Sequence, residues 1–462
     1  MKKACLLPLL LLLNCPLFAT VWQVGPTRTY TKPSQVAALV GDGDVVEIDA
    51  GVYVADVCTW SAPNLTLRGV GGTYARLNAQ GTSAQGKAIW VISGNNATVE
   101  NIEFYNCTVS DQNGAGIRQE GVGLTVRNCY FHDNDEGILA GDKVDSEILI
   151  EYSNFEHNGF GDGQSHNIYI NHIKKLVLRY NWFHRAKIGH EIKSRAYETL
   201  IYCNRISNED GDASREIDVP NGGKLYVIGN VIQQGTNGQN SNIIGFGMEG
   251  LTNPGPQSVF LINNTIWNQK TVGSFIQFPN TVPSLKAWNN LLLGGGNFMT
   301  GANIPASLDT MANLRYTNIV DAKLTDPQQF NFEPLCASAC IDAGVNPGMD
   351  GIMNLLPAHS YQHPTGSKTR TTLGYKPDIG AFEGQCGSFT QAPVRPEYLQ
   401  RGNQRMYLLP DAPDCTLEVY DLQGRLLEQG GRAFDWATRS QGIYVVLVRE
   451  KGRFVWTERV GF

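Results

Sequence analysis

Charge is scarce in this chain. Of its 462 residues only 17 % are Asp, Glu, Lys or Arg, and the balance is mildly acidic, a formal net charge of −6. Without a basic excess the chain has no electrostatic footprint for nucleic acid, which excludes that class of partner. Long apolar runs are lacking too. The one candidate, 4–13, is too short to span a bilayer. It follows Lys2 and Lys3 and precedes Pro16, Leu17, Phe18 and Ala19, so 1–19 reads as a secretory signal peptide, with no transmembrane segment in the mature chain. No cysteine spacing suits a zinc site. Removing the leader takes Cys5 and Cys15 and leaves eight cysteines, an even number that permits disulfides in an exported chain. Cys336 and Cys340 are close enough in sequence to bridge, and Cys107 with Cys129 is a second pairing. Single buried thiols are the alternative for Cys129 and Cys203.

The Leu-dense consensus of leucine-rich repeats and the 3.6-residue apolar period of helical repeats are both missing. What is present is a period-2 alternation rich in Ile, Val, Phe and Tyr. Segments 99–104, 124–131, 148–155, 176–183, 200–206, 225–232, 260–266 and 285–292 each close on an Asn-rich tetrad and an aromatic or aliphatic residue, with a weaker 65–67 upstream. The closing residues are Phe104, Phe131, Phe155, Phe183, Ile206, Ile232, Ile266 and Leu292, mostly 23 to 28 positions apart. A unit of that length cannot bury its own apolar face, so it must stack on copies of itself. Asn recurs at the corners as Asn101, Asn128, Asn154, Asn181, Asn204, Asn230, Asn264 and Asn290. Asn tolerates the left-handed backbone of a sharp corner, and rungs about 4.7–4.9 Å apart let its side chains bond along a ladder.

These rungs resemble the right-handed parallel β-helix superfamily, the pectate-lyase-like fold, over roughly 22–385. The expected class is therefore all-β, a right-handed parallel β-helix with a cap over 20–385, followed by a small C-terminal β-sandwich. Pro393, Pro396 and Gly402 mark a linker over 386–403. Within 404–462, four apolar strands are expected at 405–409, 416–420, 442–448 and 453–460. The runs LEVYDLQGRLL at 417–427 and GIYVVLV at 442–448 resemble the C-terminal sorting domain of the type IX secretion system. That resemblance implies export by this machinery, removal of the domain, and a mature protein that is secreted or held on the outer cell surface. The runs FEP at 332–334, CIDAG at 340–344 and DIGAFE at 378–383 resemble the closing segment of many β-helix proteins, which implies a structural cap over the last rung.

In such a coil only outward side chains and loops meet a ligand. Aligning the strands through Ile117, Ile138, Ile168, Ile192, Ile217 and Ile243 makes three successive rungs unusually rich in outward charge. They present His166, Asn167 and Tyr169, then His190, Glu191, Lys193 and Arg195, then Arg215, Glu216 and Asp218, with Arg118 two rungs earlier. The bland alternative is a ladder of cross-rung ion pairs. Proton abstraction next to a uronate carboxylate needs a base and a cation or donor to neutralise the developing charge. Lys193 and His166 are the leading bases, Tyr169 the acid, and Arg195, His190 and Asn167 the neutralisers or binders. Tyr169, Tyr197 and Trp60 are candidates to stack on sugar rings, whereas Trp90 and Trp267 read as packing. Glu191, Glu216 and Asp218 form an acidic set compatible with calcium.

The run Glu191, Ile192, Lys193, Ser194 is similar to the rung of alginate- and chondroitin-type lyases that carries the catalytic Lys. Those enzymes place Arg-His-Gly on the next rung, where this chain has Val219, Pro220, Asn221 and Gly222, so Arg195, Arg215 or His166 has to substitute. The expected function is lyase-type cleavage of an extended acidic polysaccharide. The alternatives are a non-catalytic adhesin or glycan-binding β-helix, and a glycoside hydrolase, which needs clustered Asp residues where only Asp218 is well placed.

Overall fold

The computed structural model describes residues 19–279, 283–301, 305–386 and, beyond them, 397–401, 404–408, 415–431, 433–435, 443–450 and 453–461. The expected leader therefore lies almost wholly outside the described residues, and of the expected linker, 386–403, only Cys386 and the strand Glu397–Arg401 are described. Residues 19–372 and 376–386 belong to one compact unit, and 397–461 belong to another.

The first unit is an all-β parallel solenoid. One rung runs Ala115–Gln119, Leu124–Arg127, Tyr130–His132, and the next runs Glu136–Ala140, Lys143–Glu151, Asn154–Glu156. The first strand of every rung stacks into a 10-stranded sheet, and the second and third strands together build a 21-stranded sheet. The pairings between rungs are parallel, and register carries from rung to rung, as in Leu124 to Ile148 to Leu176, with irregularities at 143–147 and 49–51. Period-2 alternation explains the core. Phe104, Phe131, Phe155 and Phe183 share one inward register, and each ring stacks on the next with centroids 4.8 Å apart. Burying each such side chain is worth about 1.5–3 kcal/mol, and the stack continues through Ile206, Ile232 and Ile266.

The corners use Asn in two distinct ways. Asn101 and Asn128 adopt the left-handed conformation themselves, with φ of 58° and 47°. From Asn181 onward the left-handed residue is the preceding one, Tyr180, Cys203, Gly229, Asn263 or Asn289, and the recurring Asn turns inward. Asn181, Asn204, Asn230, Asn264, Asn290 and Asn313 then form a ladder in which each side-chain amide donates to the Oδ1 of the next, at 2.9–3.1 Å. Each Nδ2 also donates to a core carbonyl, for Asn204 that of Leu178 at 2.9 Å. Asn154 is outside the ladder, because Ser153 holds that position and accepts from the Cys129 amide.

The closing segment does more than cover the last rung. Phe332, Ile379 and Phe382 pack with Val231, Trp267 and Leu293 on the outer flank of the 21-stranded sheet, and the Ala358 amide reaches back to the Tyr202 hydroxyl at 2.7 Å. Buried Arg370 ties it together, donating to Glu383 and to the carbonyls of Gly380 and Asp378. The expected Cys336–Cys340 bridge is not formed. Cys336 bonds to Cys386, while Cys340, Cys107, Cys129 and Cys203 are buried free thiols.

The second unit contains antiparallel sheets, one built from Leu426–Gly431, Cys415–Asp421, Ile443–Glu450 and Arg453–Gly461. Leu417, Val419, Tyr444, Val446 and Val448 are its buried apolar side chains among those described. Among the described residues of the whole chain no helix is long and apolar enough to cross a membrane.

Candidate functional site

The 10-stranded sheet holds the charged rungs. Register places Arg118, Leu139, Tyr169, Lys193, Asp218, Gly245 and Gln277 in one row along its outer face. The inward partner of Ile217 is Ile244, one residue later than the alignment through Ile243. Both isoleucines are buried, because the residue before each inward Ile sits at the corner and turns inside as well.

That corner geometry removes three expected surface groups. Asn167, Glu191 and Glu216 are fully buried. Asn167 accepts from the Asn158 side chain at 2.8 Å and donates to Glu191, whose other oxygen accepts from the Ala186 amide at 3.1 Å. Burial pushes the Glu191 carboxyl up to about 8 and the Glu216 carboxyl well above its ordinary range. Asp218 faces outward, so these three acids do not converge on one cation. Among the described residues no group of three or more His, Cys, Asp or Glu is placed to hold a metal ion, and the acidic set does not fit calcium.

What does converge is a cationic cluster. Arg195 Nε donates to Tyr169 Oη at 3.0 Å, and the Lys193 ammonium lies 5.1 Å from the Tyr169 ring centre. Arg195 also donates to the Asn221 side chain. A residue not anticipated from sequence closes the cluster. Glu249, on the loop after Asn242–Phe246, meets Arg195 at 2.7 Å and Lys193 at 3.8 Å. Its own amide is pinned to the Pro220 carbonyl at 2.9 Å. The hydrogen bond from Arg195 holds its carboxyl below the usual range. No repeat pattern flags Glu249, since it lies in a loop between rungs.

Arg215 extends the cluster along the row. Its guanidinium crosses Gly245 to donate to Gln277 at 2.8 Å, and a Cβ at position 245 would stand 1.9 Å from its Nη1. Asp218 lies 3.8 Å from Arg215 and 3.6 Å from His190. Burial raises the Asp218 carboxyl despite those neighbours.

The two histidines stack with ring centres 4.9 Å apart. His166 is wholly buried, and its Nδ1 accepts from the His190 amide at 2.9 Å. That bond assigns the proton of the neutral ring to Nε2, so His166 has no free lone pair and does not act as a base. Burial, then the neighbouring His190 and Lys193, push it well below its ordinary range. Burial and the charge of Lys193 bring His190 down to about 3. Arg118 stands two positions along the row from Tyr169, beside Glu120 at 3.6 Å. Tyr197 lies past the corner that follows Arg195, outside this network. Trp60 is not a sugar platform, being fully buried edge-on against Trp90.

Residues 50–232 match the family model described as right handed beta helix region. No curated protein matches the chain. Among solved structures it is similar to a pectate lyase, Pel9A, at 13 % identity and a TM-score of 0.46, covering 79 % of this chain and 96 % of that one.

Proposed function

We propose that the outer face of the 10-stranded sheet binds an extended acidic polysaccharide and cleaves it by β-elimination. The observation that carries this reading is the convergence of Tyr169, Lys193 and Arg195 on adjacent rungs of one open strand face. An outward Lys and Tyr joined by an Arg supply the three requirements of the reaction. Arg195, with Arg215 one rung on, neutralises the uronate carboxylate, which makes the neighbouring C–H acidic. Lys193 is the base placed to take that proton. The electron pair forms a carbon–carbon double bond as the glycosidic C–O bond breaks, and Tyr169 delivers a proton to the departing oxygen.

The leader-like 1–19 and the sorting-domain resemblance at 417–448 support export by the type IX machinery and a place outside the cell, where such polymers are met. The test is incubation with alginate, pectate and glycosaminoglycans while following the absorbance of unsaturated products. No signal on any of them counts against cleavage, and unchanged turnover in Lys193→Ala removes the site.

One observation favours a second reading, a surface that binds the polymer without cutting it. Arg195 and Lys193 already share Glu249. Glycan-array binding without product formation would select that reading.

A further inference from the structure

A cavity lies away from this face, between the flank of the 21-stranded sheet and the closing segment. It encloses about 610 Å³, and Arg205, Phe330, Tyr361, Gln362 and Phe382 are among its walls. That volume falls within the range of small-molecule sites, about 300–1,000 Å³.

Its charges are spent internally. Arg205 donates to Glu209 at 2.7 Å and lies 3.7 Å from the Phe330 ring centre and 4.9 Å from that of Trp182. Lys368 is paired with Glu333. An ionised ligand thus finds no free counter-charge, while a neutral one has no desolvated charge to oppose it. Unspent polarity remains in the amides of Gln328, Gln329 and Gln362, exposed side chains at the mouth that engage in no hydrogen bond among the described residues. An amide offers donor and acceptor together, as a sugar hydroxyl requires. The aromatic walls supply the flat apolar surface that sugar C–H faces need.

Phe330 is the most telling residue. It has a φ of 59°, a left-handed conformation that a bulky side chain adopts only when its surroundings impose it. It ends the turn Pro327–Gln329, and its half-buried ring packs against the Trp267 and Phe332 rings while lining the cavity.

We propose that this cavity is a binding site for a neutral saccharide unit, a mono- or disaccharide, distinct from the charged strand face. Its occupant lies against Phe330 and is held through its hydroxyls by the glutamine amides.

The test is titration of the full chain with neutral sugars (glucose, galactose, mannose, N-acetylglucosamine, maltose, cellobiose), read by saturation-transfer NMR and calorimetry. At least one is expected to bind. Phe330→Gly removes the ring yet suits the left-handed backbone, so the fold is retained and affinity falls about tenfold. Gln362→Ala weakens binding in the same direction. Phe330→Gly leaves any turnover of acidic polymer unchanged, which separates this site from the other. Binding of no neutral sugar, binding undiminished in both variants, or preference for acidic sugars at this cavity would each overturn the proposal.

Discussion

On the outer face of the 21-stranded sheet, charge is answered rung by rung. Arg127 and Arg179 both donate to Glu151 from the rungs on either side, Arg76 meets Glu103 at 3.0 Å, and Lys175 meets Glu198 at 2.7 Å. Although burial pushes Glu151 the other way, its two arginines hold the carboxyl below the usual range. On the outer face of the 10-stranded sheet the same crowding is answered only in part, through longer contacts such as Arg215 to Asp218 at 3.8 Å and Arg118 to Glu120 at 3.6 Å. Buried Arg118 Nε, His190 Nδ1 and Arg215 Nη1 have no hydrogen-bond partner there, and the ion partner of Lys193 is the loop residue Glu249, which Arg195 meets as well as Tyr169 and Asn221. Crowded charge is thus common to both faces and does not mark a site. What separates the two faces is how fully the charged side chains are paired, a buried polar group without a partner being costly to keep.

The sharpest way to break this contrast is to delete one cation on each face. Lys193→Ala should cut turnover of the acidic polymer by about 10²–10⁴-fold, the range for loss of a positioned base, while Arg127→Ala leaves it intact. Equal losses in product absorbance would erase the distinction. A smaller effect is expected from the interior that both faces share. Asn230→Ala strips the partner of Asn204 and empties one rung of the ladder, and should cost about 1–3 kcal/mol in denaturant unfolding, with turnover per folded molecule unchanged.

The faces also differ in pH window. The raised Glu191 carboxyl keeps its proton in the folded state up to about 8 but loses it near 4.5 when unfolded, so its contribution to stability falls as pH rises through that interval. Glu191→Gln should flatten the melting temperature there. On the other face His132, although burial opposes it, is held up to about 9 by Asp133 and Glu103. Its contribution is full below about 6.5 and fades toward 9, so His132→Gln should flatten only this later interval. The smallest effect is expected at Glu249, which competes with a substrate carboxylate for Arg195. Glu249→Gln should lower KM for the acidic polymer by about fivefold or less, as befits a half-exposed ion pair, with little change in kcat.

Much of this arrangement is legible in the residues alone. The Phe and Ile closing residues predict the stacking register, and Tyr169, Lys193 and Asp218 do fall on one outward row. Asn167, Glu191 and Glu216 mislead because strict alternation breaks at the corner, where two consecutive side chains turn inward. His166 misleads for another reason. It lies on the expected rung, but it is wholly buried and a neighbouring backbone amide takes its lone pair, and no spacing encodes that bond.

Sequence by itself determined the coil, since a two-dozen-residue repeat of alternating apolar strands has no way to bury its interior except against its own copies. Tertiary structure alone decided which polar groups share a surface. It brought Glu249 onto Arg195 from a loop, carried Arg215 over the bare Cα of Gly245, paired Cys336 with Cys386, and laid the closing segment along the flank to leave a cavity. The physical reason is range. Periodicity acts between neighbouring rungs and is written in spacing, whereas loops and bridges join residues whose separation in the chain follows no period.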